Sequence, residues 1–176
     1  MSWKAKPSGT MSIPRREEPW VTDELAKLIR EELMPRYAEP MGALMPSLHA
    51  VQEAWGWISH QAMEELAAVL GIKPADVLDT ASFYEEYHLH PVGQCVIGVC
   101  QSVACEMCGH QALVDHIRNR LEIEPHETTD DGRFTLLTLE CLGSCDTAPC
   151  ALVNDTRYDN LTLDQIDSII DQGSRE

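Results

Sequence analysis

The stretch VCQSVACEMCGH, residues 99–110, sets Cys100, Cys105 and Cys108 in C-x4-C-x2-C spacing, and ECLGSC, residues 140–145, sets Cys141 and Cys145 in C-x3-C spacing. Thiols at such separations can hold an iron–sulfur cluster, hold a structural zinc, or cycle between dithiol and disulfide. Cys100, Cys105 and Cys108 with a distant fourth residue, Cys141, have the spacing of a plant-type [2Fe-2S] site. That choice puts Cys108 inside a predicted helix and leaves Cys145 unused. A Rieske centre needs a C-x-H and a later C-x-x-H. The run CGH at 108–110 supplies the first, and no segment supplies the second.

Cys105 and Cys108 alone form C-x-x-C between a predicted strand and a predicted helix, where a helix N-terminus favours a thiolate and a dithiol would be at home. Pro149, just before a later strand, would take the proline position of a thioredoxin-like core. This reading gives ECLGSC nothing to do. Zinc knuckles favour tighter C-x2-C loops. Two pairs remain, Cys100 with Cys105 and Cys141 with Cys145. Each begins at the end of a predicted strand, so both can meet at one end of a sheet, and four thiolates there suit a [2Fe-2S] cluster. A cluster with four thiolates is net negative and needs donors around its sulfurs. The Gly143 backbone N–H, the helix start after Cys105, and the Ser102 and Ser144 hydroxyls are the candidates.

The elements that must position these pairs fall into two groups. Residues 1–20, with Pro7, Pro14, Pro19 and Gly9, are expected to form an irregular arm. Residues 21–90 show a helical period. Leu25, Leu28, Ile29 and Leu33 share one face up to Pro35. Leu48, Val51 and Trp55 run to Gly56. Met63, Leu66, Ala67 and Leu70 follow an N-cap at Ser59 and stop at Gly71, and Val77, Leu78, Ala81 and Tyr84 follow Pro74. This predicts a small helical bundle. From residue 91 to 176 the period changes. QCVIGVC is a predicted buried strand, 106–121 a helix with Ala112, Leu113, Ile117 and Leu121 inward, and RFTLLTLE an alternating strand. CALVN and TRYDNL form a hairpin about Asn154 and Asp155, and TLDQ at 162–165 is a capping box for a last helix carrying Ile166, Ile169 and Ile170. The expected class is α+β or α/β: a helical bundle, then a β-α-β-β-β-α domain with a mixed sheet, the order of a thioredoxin-like core.

The bulk composition bounds the function. Among 176 residues, 29 acidic against 13 basic side chains leave a formal charge of −16, which argues against binding DNA or RNA. No run approaches the 18 or so apolar residues of a membrane helix, so no direct membrane insertion is expected. The N-terminus lacks the apolar segment of a secretory signal, which points to a cytoplasmic chain where seven cysteines serve metal or thiol chemistry rather than disulfides. No Gly-rich dinucleotide fingerprint is present, so the chain is not expected to bind a nucleotide or oxidise NADH by itself.

VCQSVAC, TTDDGRFTL, ECLGSCDTAP and LTLDQIDSII, with ASFYEEYHLHPVG upstream, resemble the [2Fe-2S] subunit of respiratory complex I, the 24 kDa subunit of NADH-quinone oxidoreductase. The likeness covers roughly residues 22–172. It implies one [2Fe-2S] cluster on Cys100, Cys105, Cys141 and Cys145, and a partner flavoprotein subunit that holds NADH and FMN. It also implies a role as side acceptor of electrons from that flavin, within a larger oxidoreductase complex on the cytoplasmic face of a membrane. Similar chains serve NAD-reducing hydrogenases and NAD-dependent formate dehydrogenases. Cys108 and Cys150 depart from the family's usual pattern, and they and Cys95 are expected to be buried thiols without a ligand role.

Overall fold

The computed structural model describes residues 15–173. The chain divides into two compact units, Met1–His90 and Pro91–Glu176.

In the first unit, every named element is helical, for physical reasons visible in the chain. Thr22 caps α1 (Asp23–Leu28) by accepting from the Leu25 N–H at 3.3 Å. The helix then widens into a π-turn over Ile29–Leu33, with the Met34 N–H reaching back to the Ile29 carbonyl. It tightens into a 3-10 turn at Met34–Arg36, because Pro35 has no N–H with which to continue the ladder. A 3-10 turn at Pro40–Ala43 leads into α2 (Leu44–Trp55). That helix starts four residues before the expected Leu48, and Pro46 is accommodated in its first turn, where no N–H partner is needed. Ser59 caps α3 (His60–Leu70) and Gly71 closes it at φ +74°, as expected, and α4 spans Pro74–Phe83.

Leu44, Leu48, Val51, Ile58, Leu66, Leu70 and Val77 form this unit's core. Leu78 and Tyr84 do not join it. Both are exposed, since α4 offers the core only a narrow Val77–Ala81 edge. Residues 1–14 of the expected arm lie outside the described residues. Residues 15–20 are irregular and are held against α3: the Arg16 N–H donates to Gln61 at 3.0 Å, and the Trp20 and Val21 N–H groups both donate to one Glu65 carboxylate oxygen.

The second unit is a four-stranded mixed sheet in the order β2-β1-β3-β4, with helices on it. β1 (Cys95–Cys100) pairs in parallel with β2 (Phe134–Leu139), so Cys100 lies beside Leu139. β3 (Ala151–Val153) runs antiparallel to β1, with Val99 opposite Ala151. β4 (Thr156–Tyr158) closes a hairpin at Asn154, φ +48°.

The expected helix over 106–121 is two helices. α5 (Val103–Met107) and α6 (His110–Leu121) are separated at Cys108 and Gly109, where φ is +87°. Gly109 supplies the left-handed backbone that breaks the first helix and starts the second. On α6 the inward residues are Leu113, Val114 and Ile117, while Ala112 faces out and Leu121 is half-buried. α7 (Leu163–Gly173) begins at the expected capping box, with the Thr162 N–H donating to the Gln165 Oε1 at 2.9 Å and the Gln165 N–H donating back to the Thr162 hydroxyl. Ile97, Val99, Ile117, Leu136 and Ile166 meet in the core, each contributing about 1.5–3 kcal/mol by burial.

Candidate metal centre

Strand parity determines where Cys100 points. Successive side chains alternate across a sheet, so Cys100 lies on the face opposite to Ile97 and Val99, which line the main core. It belongs instead to a small second cluster with Cys105 and Cys150, against which Leu142 and Ala148 pack. Cys105 comes from α5, immediately after the β1 end. Cys150 comes from the residue before β3 and sits opposite Cys100 across the antiparallel ladder, the Cys100 N–H donating to the Cys150 carbonyl at 3.1 Å. The peptide bond before Pro149 is cis.

The three sulfurs all lie within 4.8 Å of one another, and Cys105 Sγ is 3.8 Å from Cys150 Sγ. All three residues are almost fully buried. Cys141 and Cys145 are exposed, and Cys108 is exposed as well. Of the four residues singled out by spacing, the structure therefore brings Cys100 and Cys105 together and adds Cys150. It places Cys141 and Cys145 on the adjoining loop. That loop comes close: the Cys100 sulfur is 3.7 Å from the Glu140 carbonyl, and the turn Cys145–Thr147 packs against α5. The expectation that Cys95, Cys108 and Cys150 are all buried holds for Cys150 alone. Cys95 is partly buried, and Cys108 lies at the break between two helices rather than within one.

Burial acts on all three sulfurs in the same direction, and hydrogen bonds separate them. For Cys100, desolvation would raise the pKa, but the Ser102 hydroxyl at 3.4 Å and the backbone N–H groups of Ser102 and Leu142 outweigh it and bring the thiol down to about 7. For Cys105 desolvation dominates and the pKa rises, although the Cys150 N–H reaches its sulfur. Cys150, buried and beside another sulfur, is pushed up to about 12.

At the Cys100 sulfur the loop N–H is that of Leu142, and one expected donor, Ser144, is committed elsewhere. The buried Ser144 hydroxyl bonds to Thr147 at 2.6 Å and to the Asp159 carboxylate, which holds that carboxylate below its ordinary range. Ser144 thus anchors the loop rather than serving a sulfur. Gly143, at φ +71°, makes the turn between them, a conformation that side chains resist.

This arrangement disfavours the dithiol chemistry. A reactive C-x-x-C needs a lowered pKa on its accessible, attacking first cysteine, whereas Cys105 is buried with its pKa raised and its sulfur neighbours Cys150 rather than Cys108. Thiols converging at a sheet end, with N–H and hydroxyl donors aimed at one of them, fit an iron–sulfur group.

The family model for thioredoxin-like [2Fe-2S] ferredoxins matches residues 30–174. The chain belongs to that family. Relatives of this ferredoxin include the second E-type component of NADH-quinone oxidoreductase from Rhizobium meliloti (strain 1021), 37% identical over 146 residues, spanning 81% of this chain and 87% of that one. Another is the E-type component of NADH-quinone oxidoreductase from Escherichia coli (strain K12), 37% identical over 152 residues, with 85% and 92% covered. Among solved structures, the NAD+-reducing [NiFe]-hydrogenase in the air-oxidized state matches with a TM-score of 0.66 and 29% identity, over 75% of this ferredoxin. The match spans only 23% of that hydrogenase chain. The complex I resemblance read from the cysteine motifs is borne out by these relatives, and so are the thioredoxin-like fold and the [2Fe-2S] class. Cys150 was missed as a neighbour of the site because its proximity depends on β1 and β3 pairing, which no spacing rule records.

Proposed function

We propose that the chain carries one [2Fe-2S] cluster on Cys100, Cys105, Cys141 and Cys145. On this reading it serves as an electron-transfer subunit beside a flavoprotein subunit that binds NADH and FMN, in an NADH-quinone oxidoreductase. When bound, such a cluster supplies reversible one-electron acceptance. The observation that carries the reading is the buried Cys100–Cys105 pair at the β1 end with the Cys141–Cys145 loop adjoining it. In it, Ser102 and Leu142 stabilise anionic sulfur at Cys100, Ser144 and Gly143 shape the loop, and the surrounding apolar residues exclude water. Among the described residues no helix is long and apolar enough to cross a membrane, which accords with a place in a peripheral arm on the cytoplasmic face, attached through other subunits. The chain alone is expected not to turn over NADH.

Likeness to the NAD+-reducing hydrogenase supports a second reading, the same electron-transfer role in a hydrogenase module. A tagged copy purified from its native cells separates the two. Co-purifying proton-pumping membrane subunits support the first, and a nickel-iron subunit supports the second. The shared core of both readings is tested by reconstituting the chain anaerobically with iron and sulfide. Uptake of about two irons per chain and a dithionite-induced EPR signal of a reduced [2Fe-2S] centre are expected. A chain that stays colourless and takes up no iron pair overturns both.

A further inference from the structure

The group formed by Cys100, Cys105 and Cys150 is a different set of ligands from the one proposed for the cluster, and its geometry has its own meaning. At a tetrahedral ion with metal–sulfur bonds of about 2.3 Å, two thiolates lie about 3.8 Å apart. Cys105 and Cys150 are 3.8 Å apart, and Cys100 lies within 4.8 Å of both. All three are buried. Two short constraints hold the set: the Cys100 N–H to Cys150 carbonyl bond of the sheet, and the descent of Cys105 from α5 directly beyond the β1 end. Neither depends on the Cys141–Cys145 loop.

We propose that in the cluster-free chain Cys100, Cys105 and Cys150 form a mononuclear zinc site. This site shares two ligands with the [2Fe-2S] site and therefore competes with cluster assembly. A divalent ion suits it because the three closely packed buried thiols can be deprotonated together only when a doubly charged thiophilic cation neutralises the mutually repelling charge of their thiolates. Zinc prefers four ligands, and the Glu140 carbonyl beside Cys100 or a water molecule completes the set. Binding replaces thiol protons with the ion, releasing them to solvent, so affinity rises with pH. The competition, though not the zinc site itself, rests on the cluster reading.

The test uses the full chain stripped of iron with its thiols reduced, titrated with Co2+ as a spectroscopic stand-in and with Zn2+ in competition. One ion per chain is expected, with tetrahedral visible bands and sulfur-to-cobalt charge-transfer absorption of the size of three thiolates rather than four. Cys150→Ser should weaken binding by about tenfold or more, the scale on which site residues set metal affinity. The double variant Cys141→Ser/Cys145→Ser should bind as the wild type does. Preloaded zinc should slow iron–sulfide reconstitution of the wild type and leave Cys150→Ser unaffected. Unchanged binding by Cys150→Ser, or loss of the ion in the Cys141→Ser/Cys145→Ser variant, overturns the site. Failure of the cluster reading looks different: wild-type chain kept free of zinc would take up no iron pair, whatever occupies position 150.

Discussion

Ser102 is the side chain with the most direct hold on a proposed ligand, its hydroxyl 3.4 Å from the Cys100 sulfur. Hydrogen bonds to cluster sulfurs set reduction potential, because a donor stabilises the more negative reduced state. Ser102→Ala should therefore shift the midpoint to a more negative value in a redox titration followed by EPR, and an unchanged midpoint would show that the hydroxyl does not reach ligand sulfur when the cluster is bound. Ligation itself divides the cysteines. Cys141→Ser or Cys145→Ser should cost most of the bound iron and the visible colour. Cys108→Ser should retain both, since Cys108 lies exposed at the helix break. Loss of iron from Cys108→Ser would return the plant-type assignment.

At the scale of elements, two glycines, Gly93 just before β1 and Gly98 within it, let β2 approach closely. A Cβ at Gly93 would lie 2.7 Å from backbone atoms of Arg133 and Phe134, whereas one at Gly98 would lie 2.4 Å from the Leu139 Cδ1, the end of a flexible side chain. Backbone cannot yield locally and a leucine can change rotamer, so Gly93→Ala should destabilise by about 1–3 kcal/mol and Gly98→Ala by less. Denaturant titration of both variants decides the order.

The turn into β2 is held by Asp131, which accepts from the Thr129 hydroxyl at 2.6 Å, from the Arg133 N–H at 3.0 Å and from the Arg133 guanidinium at 2.7 Å. These bonds, the Thr129 hydroxyl foremost, bring its carboxyl from 3.8 down to about 2. A depressed carboxyl stabilises the folded form above the ordinary value, and that contribution disappears as pH falls through the depressed one. Protection of the turn against hydrogen exchange should therefore persist at about pH 4 and fade between 3.8 and about 2. In Asp131→Asn the pH dependence over that window should vanish, and a variant that still shows it would place the titration elsewhere.

For the molecule as a whole, the division into Met1–His90 and Pro91–Glu176 puts the cysteines, the sheet and its apolar core in the second unit. Its buried Ile, Leu and Val cluster belongs to that unit alone, so the segment carries its own core. A fragment spanning residues 91–176 should fold and take up the cluster with the EPR spectrum of the full chain. A fragment that remains unfolded by circular dichroism, or that binds no iron, would make the helical unit part of the site's support.

The chemistry was legible in the chain because it rests on spacing. The two pairs open at Cys100, the last residue of β1, and at Cys141, just past the end of β2, and the residue periods locate strand ends. The helices capped by Thr22, Ser59 and Thr162 were legible for the same reason: capping and amphipathic period are local, set within one or two turns. What lay beyond the sequence was pairwise and long-range. That Cys150 faces Cys100 follows from β3 lying antiparallel to β1 in a particular register, a relation between residues some fifty positions apart. Only the fold gives Ser144 to Asp159 rather than to a sulfur. The α5–α6 break at Gly109 is local, yet the period read from Ala112 to Leu121 says nothing of where the backbone before it turns left-handed. Leu78 was misplaced because a helical face names a side and not whether anything covers it. Spacing along the chain determined which thiols could act; tertiary packing decided which are buried together, since burial depends on elements the local pattern does not contain.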